Sequence, residues 1–383
     1  VRFKTIPIFL TFLVMGVADA MGPLSEAVRQ QYQVTNVMAT LLSFFVFIAF
    51  AVFSVPGALL AARIGMKKLL LLGLGLNVVA MAIPSMIQPG FGLLLACIFT
   101  LGVGTTFLQV AANPIMRDVS AAGAYSRNLS FAQGFKGIGS ALSTYLVTAI
   151  AGLVLIQGMG WRAAFPLFLI LMLIPLVLVL KLKTDEAAPQ VPPSMKSSLG
   201  LLKEPVFFKA VLGIFLYVGA EVCMARFLFP AMKDALGSEA EASKFGPALF
   251  FILLTVGRLT GGAVLAKVGA RVCFRISAFL GLAGAALLMT GSATGAIAGV
   301  FAAGLGFANI WPLLFSLTVE ERPERAGELS GLMCMAISGG ALVPLAMGYL
   351  VDIDMKSLAF IVPTLCFTYL LAISLKSERK ALG

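Results

Sequence analysis

Three ionisable side chains stand inside long apolar stretches of this sequence: Asp19, Lys136 and Glu221. An ionised group at the centre of a bilayer costs between about 2.5 and more than 10 kcal/mol, so such residues need a partner, water or a purpose. A carboxylate in that setting can take up a proton or a sodium ion. An ammonium near it can hold the empty site electrically. Arg226 is expected to reach an aqueous vestibule or to snorkel, and Arg258 to serve a structural role at the cytoplasmic end of its helix. A second group is polar but neutral. Gln109 and Asn113, spaced i, i+4, share one helix face, as Gln133 and Lys136 do at i, i+3. Asn309 precedes Trp311 and Pro312 in a helix interior, where the proline frees a carbonyl and bends the chain. Any single amide in a span more often makes a helix-packing bond. Gln109, Asn113, Gln133, Asn309 and Trp311 together, at mid-depth, read as a binding site for a small polar ligand.

The elements that must position these groups are membrane helices. The 383 residues are 60% apolar and only 12% charged, too little polar surface for a water-soluble globule. With no histidine, the chain cannot perform His-based hydrolysis or hold a His-ligated metal. Its five cysteines are scattered without a Cys-x-x-Cys pair, so neither a disulfide framework nor a metal site is expected. A crossing helix needs about 20 apolar residues. Twelve stretches qualify: 5–31, 35–62, 68–87, 91–116, 127–154, 160–182, 207–232, 245–267, 271–291, 295–318, 327–351 and 357–376. The first is too long for a secretory signal and carries Asp19 at its middle, so it is kept as a span.

The formal charge of +11 falls into place once it is sorted by loop. Of 28 Lys and Arg residues, only Arg29, Arg162, Lys233, Lys244 and Lys356 fall on one side, and Lys136, Arg226 and Arg258 lie within spans. The rest cluster on the other side. Because basic residues concentrate in cytoplasmic loops, both termini are placed in the cytoplasm, and no nucleic-acid partner is needed to explain the charge.

A polar, Pro-rich segment from Lys183 to Lys203 divides the chain. This gives an N-terminal six-helix bundle at 1–182, a cytoplasmic linker at 183–206 and a C-terminal six-helix bundle at 207–383. The halves resemble each other: GALLAARIGMK (Gly57 to Lys67) recurs as GGAVLAKVGAR (Gly261 to Arg271), and Leu129-Ser130, Gly139 and Ala141-Leu142 recur as Leu329-Ser330, Gly339 and Ala341-Leu342. Such a period means two copies of one six-helix unit.

The loop pattern Gly-x-x-x-x-x-Arg-x-Gly-x-Lys-Lys, with its second copy, resembles the loop signature of the major facilitator superfamily, although Ala61 and Leu265 stand where its aspartate would fall. LQVAANP (Leu108 to Pro114) with SFAQGFKGIGS (Ser130 to Ser140), YVGAEV (Tyr217 to Val222), NIWPLLFSL (Asn309 to Leu317) and GGALVPLAMGYLVD (Gly339 to Asp352) resemble the fucose, galactose and glucose proton symporters of that superfamily. The resemblance implies an all-α fold of twelve transmembrane helices in two pseudo-symmetric bundles. It also implies a bacterial cytoplasmic-membrane carrier, not an enzyme, that imports a neutral monosaccharide with a cation, H+ or Na+, and needs no other cofactor. The expected partners are the sugar and the bilayer, with the protein a monomer.

Departures from the family pattern shift the coupling chemistry. Gln109 replaces a glutamate of the fucose-specific members and cannot titrate, and Lys136 replaces an asparagine. In the facilitator fold the first and fifth spans lie side by side, so Asp19 and Lys136 are expected to pair in one state of the cycle, the arriving ion releasing Lys136. A permanent structural pair is the alternative. Glu221 is expected to bind substrate hydroxyls, gate or take the proton, against the alternative of a buried structural carboxylate. Gln109, Asn113, Gln133, Lys136, Glu221, Asn309 and Trp311 form the candidate sugar site. Arg63, Lys67, Lys267 and Arg271, with acidic partners at 320–324, are expected to lock the cytoplasmic ends. Lys136 and Arg226 also leave open an organic anion or sugar acid as substrate, or an uncoupled uniporter.

Overall fold

The structure, a computed structural model, describes residues 6–151, 159–182 and 193–376. The described chain is helical, with no strand among its residues. Its helices are α1 (Ile6–Met15), α2 (Met21–Tyr32), α3 (Asn36–Ile64), α4 (Met66–Met86), α5 (Phe91–Asp118), α6 (Tyr125–Ala151), α7 (Ala164–Lys181), α8 (Met195–Gly200) and α9 (Pro205–Leu236). They continue as α10 (Glu239–Phe245), α11 (Pro247–Val268), α12 (Ala270–Leu288), α13 (Ala293–Ala308), α14 (Ile310–Glu321), α15 (Ala326–Met335), α16 (Gly339–Asp352) and α17 (Ile361–Lys376).

Ten helical stretches among the described residues are long and apolar enough to cross a membrane. The broken run α1–α2 and the helix α6 fill the two remaining expected spans. The end of the fifth expected span at 152–154 and the linker at 183–192 lie outside the described residues. Three expected spans prove to be interrupted. The first breaks at a 3-10 turn, Gly16–Ala20, the tenth at Asn309, and the eleventh at a 3-10 turn, Ala336–Ser338.

The duplicated loop shows its repeat in the backbone. Gly65 (φ 94°, ψ 149°) and Gly269 (φ 81°, ψ 153°) end α3 and α11 and start α4 and α12 in nearly the same conformation. L-side chains seldom adopt that region, so glycine is required at both positions. Each glycine N–H still closes its helix, onto Ala61 O and Leu265 O respectively.

The chain divides into two compact units. The first comprises residues 1–121, 135–200 and 325–335; the second comprises 122–134, 201–324 and 336–383. In the first, α5 packs against α3 and α4, α7 lies on α4, and α15 lies on α3 and α5. In the second, α12 packs on α13 and α17, while α9 meets α14, α16 and α17. All five cysteines are free and buried, which places them in the packed interior rather than against lipid.

Candidate functional site

In the first unit, the 3-10 turn Gly16–Ala20 brings Asp19 to α6. A side chain at Gly16 would fall within 2.3 Å of Ser140 N and 2.5 Å of Lys136 O, and one at Gly139 within 1.8 Å of Leu13 O. The two glycines therefore let the backbones touch, the usual device for close helix crossing in membranes. Ser143 Oγ donates to Gly16 O at 3.2 Å, and Ser140 Oγ donates to Asp19 Oδ2 at 2.5 Å. Asp19 is exposed. A carboxylate at this depth that is open on one side needs water there.

The expected ion pair is open in this structure. Ser140, one helical turn beyond Lys136 on α6, holds the Asp19 carboxylate, and the half-buried Lys136 has no carboxylate partner among the described residues. Gln109 and Asn113 share a face of α5 as their spacing requires, Asn113 Nδ2 donating to Gln109 Oε1 at 3.5 Å and lying 4.0 Å from Cys334 Sγ. Pro114 has no N–H for the carbonyl four residues back, Val110. Ser330 Oγ of α15 takes that carbonyl at 2.9 Å.

The second unit solves the same backbone problem with charge. Pro312 leaves the Ala308 carbonyl free at the α13–α14 break, and Arg258 Nε donates to it at 3.0 Å. The same guanidinium reaches Tyr217 Oη at 3.1 Å and Glu221 Oε2 at 3.4 Å. Tyr217, one turn before Glu221 on α9, donates to the Glu221 carboxylate, and its oxygen lies 3.1 Å from Phe307 O. The Arg258 side chain is only 7% exposed and that of Glu221 24%. Arg258 therefore does not sit at the cytoplasmic end of its helix; it lies midway along α11, where a freed carbonyl and a carboxylate both need a donor.

Asn309 Nδ2 donates to Gly257 O at 3.0 Å, seated in the space left by the missing side chain of Gly261. Trp311 is buried and stacks on Phe315, with centroids 4.9 Å apart and planes at 23°. Buried Gln133 keeps its Nε2 without a hydrogen-bond partner. Arg226 is exposed.

Among the expected gate residues, Lys67 Nζ donates to Leu180 O at 3.2 Å in the first unit. In the second unit Arg271 pairs with Glu321 at 3.4 Å, both side chains about half exposed. Arg63 and Lys267 are exposed, with no ion-pair partner among the described residues. Sequence reasoning missed Tyr217, Ser140, Ser330 and Cys334. The first carried a signal, since it precedes Glu221 by one turn. No group of three or more Cys, Asp or Glu side chains is arranged to hold a metal among the described residues.

Broken helices, intramembrane charges and a duplicated loop now stand together, and residues 8–345 match the model of the Major Facilitator Superfamily. The chain belongs to that superfamily. Among facilitator relatives, a glucose/galactose transporter of Brucella abortus biovar 1 (strain 9-941) is 28% identical over 96% of this chain and 92% of its own length. The L-fucose-proton symporter of Escherichia coli (strain K12) is 23% identical over 88% of this chain and 84% of its own. The crystal structure of the facilitator FucP in an outward conformation superposes with a TM-score of 0.79, at 19% identity, covering 97% of this chain and 99% of that one. The all-α facilitator fold, with its two related bundles, is thus common to both. The facilitator chain is a multi-pass membrane carrier rather than an enzyme.

Proposed function

We propose that this protein imports a neutral monosaccharide, a hexose of the glucose, galactose or fucose kind, driven by protons that bind at Asp19. The chain lies in the bacterial cytoplasmic membrane with both termini in the cytoplasm, an orientation supported by the asymmetry of its basic loops. The substrate class is supported by the names of the relatives, and Gln109, Asn113, Gln133, Asn309 and Trp311 are the side chains we assign to it. The observation that carries the coupling assignment is the contrast in partners. Among the described residues, Asp19 has one hydroxyl donor and no cation, whereas Glu221 is held by Arg258 and Tyr217. A carboxylate held by a buried guanidinium and a phenol is already engaged; one whose described partner is a serine hydroxyl is open to an incoming ion.

The test is uptake into proteoliposomes with independently imposed pH and sodium gradients and a small panel of hexoses. The wild type is expected to accumulate hexose under an inward proton gradient. Asp19→Asn should lose accumulation and retain exchange of labelled for unlabelled sugar. Accumulation by Asp19→Asn equal to wild type removes Asp19 from the coupling step, and accumulation driven only by sodium changes the ion.

A second reading has one observation in its favour. Lys136 is a half-buried cation with no carboxylate partner among the described residues, which suits a sugar acid. Competition of labelled glucose uptake by uronates against neutral hexoses separates the two readings.

A further inference from the structure

The start of α6, up to Gly134, and the whole of α11 belong to the second unit, and there the two helices lie close together. A side chain at Gly134 would come within 2.5 Å of Leu259 Cδ2, and one at Gly262 within 3.2 Å of Arg127 Cγ. The contacts run in opposite order along the two helices, 127 beside 262 and 134 beside 259, so the helices are antiparallel here. Between them is a groove of about 380 Å³, lined by Arg127, Asn128 and Phe131 from α6 and by Leu259, Ala263 and Ala266 from α11. The α11 residues recur at intervals of three and four, so they form one stripe of that helix.

The groove is apolar along its length and basic at one end. Ala263 and Ala266 are exposed, as are Val264 and Val268 beside them. Apolar side chains left uncovered on a membrane span face acyl chains, which are as apolar as the side chains themselves. At the other extreme, Arg127 is exposed and makes no ion pair or side-chain hydrogen bond among the described residues. Lys267, in the last turn of α11 and one turn beyond Ala263, is a second exposed cation. Neither α6 nor α11 carries an Asp or Glu. The half-buried Asn128 adds an amide beside Arg127.

Two cations at one end of an apolar groove, with no acid on either helix, call for a ligand that is anionic at its head and hydrocarbon along its body. A small soluble anion would answer Arg127 and leave the wall of Phe131 and Leu259 unfilled. A phospholipid with an anionic headgroup answers both, and basic pockets between helices on the cytoplasmic side are where such headgroups bind.

We propose that this groove binds one anionic phospholipid of the cytoplasmic leaflet. Its phosphate pairs with Arg127, Lys267 and Asn128 stand around the headgroup, and an acyl chain runs along Phe131 and Leu259. The choice of leaflet rests on the orientation proposed above. The binding rests on neither that orientation nor the sugar or the coupling ion.

Purified protein in a neutral detergent, without sugar, is titrated with dioleoylphosphatidylglycerol and in parallel with dioleoylphosphatidylcholine, and retention of the first lipid is followed by native mass spectrometry. Wild type is expected to hold phosphatidylglycerol the more tightly. Arg127→Gln should weaken phosphatidylglycerol about tenfold, the change carried by a charge-assisted contact of this kind, and leave phosphatidylcholine unaltered. Because Arg127 is exposed, its variant should melt with wild type in detergent alone. Ala263→Leu, which fills the groove from an exposed position and leaves both cations in place, should weaken both lipids. Lys209→Gln removes an exposed cation at the start of α9, outside the groove lining, and should match wild type. Inorganic phosphate should not displace the lipid. Equal retention of the two lipids by wild type overturns the site, as does unaltered phosphatidylglycerol binding in Arg127→Gln or in Ala263→Leu. So does an equal loss in Lys209→Gln, which reports general attraction of a basic protein for acidic lipid, or displacement by inorganic phosphate, which reports an anion site without a groove. With no sugar and no gradient present, failure here leaves the transport assignment standing.

Discussion

Each unit carries an acid in a span that is a counterpart of the other, and the two acids are treated in opposite ways. Asp19 sits on a turn that leaves it exposed, with Ser140 as its donor. Glu221 sits in unbroken α9, where Tyr217 and Arg258 fix it. The helix breaks differ in the same sense. The carbonyl freed by Pro114 is met by the neutral hydroxyl of Ser330, and the one freed by Pro312 by the guanidinium of Arg258. The second unit thus ties its acid to a cation that also meets a freed carbonyl, while in the first the carboxylate and the ammonium stand apart. Duplication supplied two scaffolds, and the acids they carry have different partners among the described residues.

The largest effect is expected where the tie between Glu221 and Arg258 is broken on one side. Arg258→Leu leaves Glu221 without its cation and Ala308 O without its donor, and should cost roughly 3 kcal/mol or more. A large fall in the melting temperature in detergent would show it. Replacing Arg258 and Glu221 together by apolar residues should recover most of that loss. If Arg258→Leu is as stable as wild type, the two acids are not treated differently and the comparison fails. Next is Gly139→Leu, whose side chain would enter the space of Leu13 O and force α1 from α6; loss of coupled uptake with sugar binding retained would report a displaced Asp19. A smaller change is expected from Ser140→Ala, which removes one hydrogen bond to a carboxylate and should reduce coupled uptake about fivefold, the equivalent of roughly 1 kcal/mol. The smallest effect is that of Arg271→Gln. Its bond to Glu321 joins two half-exposed side chains, and such pairs contribute from nothing to about 1 kcal/mol.

What could be read from the sequence divides along a physical line. The spans were legible because bilayer thickness sets a minimum apolar length, and the duplicated loop because Gly65 and Gly269 hold a backbone conformation that other residues avoid. Asp19 and Glu221 fall within the stretches counted as spans, Asp19 on the 3-10 turn that breaks the first and Glu221 inside α9. Rotation and partner choice were not legible. No spacing rule indicates that Ser140, rather than Lys136, would hold Asp19, because both lie one turn apart on the same face of α6. Nor did the sequence place the linker tail, since the bonds of Ser197 and Ser198 go to residues far along the chain. Arg258 was a reading within reach. A proline at 312 predicts an orphan carbonyl at 308, and a buried arginine is a donor in search of one.

The pairing of Glu221 with Arg258 has an electrical consequence. Held together, they carry no net charge, so whatever movement they make across the membrane field requires no electrical work. If the ion at Asp19 is the sole charge that travels with each sugar, the membrane potential contributes about 2.3 kcal/mol per 100 mV to uptake. That is roughly a fiftyfold gradient of sugar at 100 mV. The neutral pair thereby leaves the voltage dependence of the carrier to the charged groups in the spans outside it, Asp19 and Lys136 among them.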